Sequence, residues 1–155
     1  MNHKTGKNRL IYPYLTYSPG IRIFPLFKGL EGNPFVADLS ETSTVFSEVD
    51  VMDQRQFQAW LDEMMGKDYT WGVASYLENR KKVLANYPQI VEEQRYFHLG
   101  LDIIVPLGTP LHAPLDAIVE ASGYEPGDGN YGGHVLLKHE GNSFESFYTM
   151  YGHLN

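Results

Sequence analysis

The chain contains no cysteine. That excludes a disulfide framework, a thiol nucleophile and any Cys-ligated zinc. It also lacks any run of about 18 apolar residues, so no membrane span is expected. MNHKTGKNRL carries positive charge, but no apolar core follows it, because IYPYLTYSPG is broken by prolines and tyrosines. No signal peptide is read there, which points to the cytoplasm. Basic residues are few: 12 Lys and Arg stand against 19 Asp and Glu, for a net charge of −7. This balance argues against broad electrostatic binding of nucleic acid. No internal repeat or low-complexity tract is present.

What is present is enough for a folded core. The 155 residues are 43% hydrophobic and 14% aromatic, which excludes wholesale disorder. Near the start, IRIFPLF (21–27) reads as a short strand that Pro25 confines to an edge or interrupts. The polar stretch 39–51 suggests a strand near its end. In DQRQFQAWLDEMMGK the apolar residues Phe57, Trp60, Leu61, Met64 and Met65 recur at helical spacing. This predicts an amphipathic helix from Asp53, as N-cap, to Met65, with Gly66 as the residue that ends it. ENRKKVLANY predicts a short helix that stops near Pro88, with Glu78, Arg80, Lys81 and Lys82 on a solvated face.

From about Arg95 the pattern changes. Short segments rich in β-branched and aromatic residues alternate with glycine-rich turns, notably GYEPGDGNYGG. This predicts an antiparallel sheet, sandwich or barrel. The fold class is therefore α+β: a mixed N-terminal region over residues 1–90, then an all-β part over 91–155, joined near 88–95.

Five of the six histidines, His98, His112, His134, His139 and His153, lie in this second part. His98 and Asp102 stand in HLGLD, and imidazole with carboxylate is an ordinary ligand set for zinc. In a straight strand residues i and i+4 are about 13 Å apart, too far to share one ion. The segment must bend, and Gly100 between them permits a bulge or a positive φ. His153, in FYTMYGHLN, suits a general acid or base; its plainer reading is a surface histidine at a strand end.

Taken in series, HLGLD, GTPLHAPLDAIV, NYGGHVLLKHE and YGHL resemble the lysostaphin-like zinc metallopeptidases of family M23. The resemblance covers roughly residues 95–155, with Ala117 where the family usually has glycine. It implies His98 and Asp102 as zinc ligands and His153 as a catalytic residue. It implies a peptide substrate, most often peptidoglycan cross-bridges or stems, and a family that is often exported. A looser likeness extends upstream to WGVASYLENR, marking Trp71, Gly72, Tyr76, Glu78 and Arg80.

The family's HxH motif, which brings the third zinc ligand and a second catalytic histidine, occurs nowhere in the 155 residues. His112 and His139 fall in expected strands at non-ligand positions, and His134 beside the glycine turn is also unmatched. The expectation is a domain truncated before that motif, binding zinc poorly and nearly inactive. A degenerate relative or completion by another chain follows in that order. Two other function classes compete. One is a non-catalytic binding or regulatory module on the same scaffold. The other is a biotinyl- or lipoyl-like carrier, against which Lys138 counts, since it lies inside an expected strand and lacks the flanks of a carrier lysine. Oligomeric state is not legible.

Overall fold

The computed structural model describes residues 21–127, 129–142 and 144–155. The leader reading of residues 1–20 lies outside the described residues. Strands outweigh helices, and the strands form three small sheets. In chain order the elements are β1 (Phe35–Val36), α1 (Val45–Glu48), α2 (Gln54–Met65), β2 (Gly72–Ala74), β3 (Glu78–Asn79), α3 (Lys81–Leu84), α4 (Pro88–Glu93), β4 (Phe97–His98), β5 (Asp102–Ile104), β6 (Ile118–Glu125), β7 (Gly132–Gly141) and β8 (Phe144–Leu154). Two compact units emerge, one over Phe27–Thr109 and one built from residues 21–26 and Pro110–Asn155.

The Phe27–Thr109 unit has its own core. Ala37, Leu39, Val45, Leu61 and Ala74 are buried, with Phe35, Phe46, Val49, Val51, Phe57, Trp60 and Ile104 packed against them. Helix α2 begins where its first amides find an acceptor: the Asp53 carboxylate takes the N–H groups of Arg55 and Gln56. It ends at Gly66, whose φ of +49° suits a residue without a side chain. Leu61 is buried and Phe57 and Trp60 face the core, whereas Met64 points outward. The Phe57 and Trp60 rings stack at 5.8 Å, and Phe35 meets Trp60 edge-on at 6.0 Å. In place of the strand expected near the end of 39–51, the chain makes the single helical turn α1, which buries Val45.

A long antiparallel ribbon shapes this unit. β2 pairs with β5, aligning Gly72 with Ile104 and Ala74 with Asp102. β3 pairs with β4, aligning Glu78 with His98. Both pairings keep one register, so 72–79 runs against 97–104 with three residues interrupting each side, 75–77 and 99–101. β1 adds to β2 in parallel. The expected helix over 78–87 is shorter at its start, because Glu78 and Asn79 are drawn into the ribbon. It also ends earlier than expected, at Leu84 with Ala85 as its C-cap, and Pro88 instead opens α4, where its missing N–H is no loss.

In the other unit β6, β7 and β8 form an antiparallel sheet with β7 in the middle. The segment 21–27 is not a strand. It makes two backbone bonds, Phe24 N–H to Pro114 O and His112 N–H to Leu26 O, and Pro25 between them has no N–H to give. His112 is accordingly outside any strand.

The Asp53 carboxyl is held below the ordinary aspartate range by the Gln56 side-chain amide, then by the Gln56 and Arg55 backbone amides. A lowered folded value stabilises the helix above the unfolded value, and that contribution disappears as pH falls through the lowered one. Asp53→Ala should lower the thermal midpoint at pH 7, and Asp53→Asn, which keeps an acceptor, should recover much of the loss. The gap between wild type and Asp53→Ala should narrow toward that of Asp53→Asn in melts taken below about pH 3.9, the ordinary aspartate value. A gap unchanged down to pH 2 would refute the cap's role.

Candidate metal centre

The ribbon's interruption is where His98 and Asp102 meet. His98 closes β4 and Asp102 opens β5, so they flank the unpaired residues 99–101. Opposite them, residues 75–77 leave the ladder too, and Leu77 adopts φ +59°. The two strands bend together. The result sets His98 Nε2 3.4 Å from Asp102 Oδ1.

Gly100 makes this possible by its size. It does not adopt a positive φ. A Cβ placed on it would lie 2.9 Å from His98 Nε2 and 3.3 Å from Cε1, so the imidazole lies over the bare Cα. The backbone at Gly100 itself is ordinary; its missing side chain is what the histidine uses.

The donor set fits a divalent cation. His98 Nδ1 lies 3.4 Å from the Ser75 carbonyl, which only accepts, so the proton belongs on Nδ1. Nε2 and the Asp102 carboxylate oxygen then present two possible metal donors to the same space. A tetrahedral ion with bonds of about 2.0–2.1 Å sets two donors roughly 3.3 Å apart, close to the distance seen. Among the described residues, no group of three or more His, Cys, Asp or Glu side chains is arranged to hold a metal together.

Behind Asp102 lies a buried chain of charge. Arg80 Nη2 donates to Asp102 Oδ2 at 2.6 Å, and Arg80 Nε donates to Glu78 Oε2 at 2.8 Å. The other Glu78 oxygen accepts the Leu39 N–H at 2.9 Å. The side chains of Arg80 and Glu78 are only 11% and 6% exposed. The expectation of a solvated face at 78–82 is thus wrong for these two. Glu78 and Arg80 are two residues apart on extended chain, which puts them on one side of it; that spacing was the available clue.

His153 lies on β8 in the sheet unit and is exposed. The β7–β8 register slips there: Gly133 pairs with Leu154 but Val135 with Tyr151. Gly152 and His153 therefore oppose the single residue His134, a bulge that redirects the side chain. His153 has φ +57° and donates its N–H to Tyr131 O at 2.6 Å. Such a pose costs a non-glycine residue about 1 kcal/mol or more. Gly133 permits the close pairing that follows, since a Cβ there would overlap the Leu154 carbonyl.

Two further histidines, His139 and His134, have structural side-chain partners. His139 is fully buried, with Nδ1 on Asp116 O, Nε2 on Thr149 Oγ1 and its ring stacked on Phe147. His134 Nδ1 contacts Gly132 O at 3.1 Å. The turn before β7 closes on itself, with Asn130 Nδ2 donating to Pro126 O at 2.9 Å.

The bare Cα of Gly100 yields a test. Gly100→Ala should displace the His98 ring, visible as a changed Cε1–H resonance. Stability should stay within about 1 kcal/mol, because only a side chain has to yield. An unmoved His98 resonance would rule out this packing.

Comparison with known proteins matches the ribbon's second half and everything after it. No curated protein and no solved structure matches the chain. The family model described as peptidase family M23 matches residues 96–155, a span that holds His98, Asp102 and His153. That segment of the chain is similar to the sequences of family M23 peptidases.

Proposed function

We propose that this chain is part of a zinc-dependent endopeptidase of the M23 type, acting on peptides rich in small residues, peptidoglycan cross-bridges or stems among them. The observation that carries the reading is the convergence of His98 Nε2 and Asp102 Oδ1 at 3.4 Å within the family-matched segment.

In this reading His98 and Asp102 hold the metal. Zinc, when bound, supplies Lewis-acid activation of water and of the scissile carbonyl. Ser75 O holds the His98 proton on Nδ1 and so keeps Nε2 available as a donor. His153 serves as general acid or base, its exposed ring set by the bulge at the end of β8. A catalytic zinc ordinarily takes three protein ligands and keeps one position open. These 155 residues offer two by motif and contain no HxH. Alone, they should therefore hold zinc weakly and hydrolyse little.

Titration with zinc should show about one weakly held ion per chain, lost in both His98→Ala and Asp102→Ala. Hydrolysis of a pentaglycine peptide should stay near background, and should appear when a segment carrying HxH is appended. Zinc uptake indifferent to both substitutions would sink the site. Robust chelator-sensitive hydrolysis by the 155 residues would sink the requirement for a third ligand. Failure of the extended chain to bind zinc tightly would favour a non-catalytic module.

A further inference from the structure

The charge chain behind Asp102 has a use that reaches beyond burial. We propose that Arg80, clamped by Glu78, is a positioning residue that fixes Asp102 so that Oδ1 alone faces His98. The proposal rests on the reading of His98 and Asp102 as a metal pair, and it adds what makes the pair rigid.

The Asp102 side chain is 38% exposed. A carboxylate that open to water rotates between rotamers unless something holds it. Arg80 holds it through Oδ2, at 2.6 Å, leaving Oδ1 directed at Nε2. Arg80 is itself fixed from the other side, because its Nε is engaged by Glu78. Glu78 is fixed in turn by the Leu39 amide and by its place in β3 directly across from His98. Every link is a hydrogen bond to a group that is already anchored.

The charges make sense only as a set. A lone guanidinium beside a cation site would repel the cation. Glu78 cancels that charge, so the three groups carry a net single negative charge, which Asp102 presents outward. The fork of Arg80 is also needed. One guanidinium reaches two carboxylates through different nitrogens, and a lysine ammonium is a point charge that does not reproduce that geometry.

Two variants test this. Arg80→Lys keeps the charge and removes the fork. Arg80→Met with Glu78→Gln removes both buried charges, yet keeps an acceptor for the Leu39 amide, so it serves should the first fail to fold. Two readouts are taken by NMR on the whole chain. The Asp102 χ1 couplings report carboxylate order without any metal, and the His98 Cε1–H resonance reports titration with zinc. Wild type should show one Asp102 rotamer. The variants should show averaging and bind zinc ten- to a hundredfold more weakly, with Leu39 amide protection retained in the neutral pair. A single Asp102 rotamer persisting in the folded variants overturns the proposal, whatever zinc does. Averaging on substitution, with zinc absent even from wild type, upholds the positioning role and removes the metal reading instead.

Discussion

The Arg80 guanidinium is the interaction on which this unit's arrangement turns. Moving a guanidinium and a carboxylate out of water costs several kcal/mol each, which is recovered only if nearly every donor and acceptor is matched. Both Glu78 oxygens accept and Arg80 donates twice, to two carboxylates, by drawing on four parts of the chain at once. Leu39 supplies an amide, β3 supplies Glu78, the residue after it supplies Arg80, and β5 supplies Asp102. Leu39 is also a core residue, packed with Ala37, Val45, Leu61 and Ala74. The hydrophobic core and the polar chain therefore share a residue, and a shift in one is felt by the other.

This gives the region before residue 90 a concrete part in the site. Its helix α2 presses Phe57, Trp60 and Leu61 onto the core beneath β1 and β2, and that core carries the Leu39 amide. His98 and Asp102 lie in the family-matched segment, yet their supports, Ser75, Glu78 and Arg80, lie upstream of it. The histidines illustrate how environment divides one residue type. His139 has both ring nitrogens engaged and a ring stacked on Phe147, so it completes a sheet. His98 has one nitrogen against a carbonyl and the other against a carboxylate, so it offers a donor.

Much of this was legible in the residues, and the failures have physical causes. The helix at 54–65 announced itself through its cap and its spacing, because local hydrogen bonds and one buried stripe suffice to set a helix's bounds. The three-stranded antiparallel sheet was legible from short apolar runs and turns. Residues 21–27 misled because alternation alone does not make a strand when Pro25 removes the amide between two would-be ladder bonds. Residues 39–51 misled because burying Val45 needed only one helical turn. Glu78 and Arg80 misled most: charge next to Lys81 and Lys82 read as a solvated helix face. What overrode that reading was pairing with residues about twenty positions later, a non-local fact. Even the glycine in HLGLD was expected to serve through its dihedral freedom, whereas it serves by lacking a Cβ.

That last point explains the spacing of the pair itself. An i, i+4 separation on a strand normally forbids a shared ion. Here the same register holds on both sides of the gap, Ala74 with Asp102 and Glu78 with His98, so the partner strand omits as many residues as the strand that carries His98 and Asp102 does. The bend is a property of the ribbon, and neither strand makes it alone. It follows that the residue facing His98 across the ladder is fixed by that register as Glu78, and Arg80, on the same side of the chain, is delivered to Asp102. The His98–Asp102 pair and the ion pair behind it are two consequences of one in-register bend.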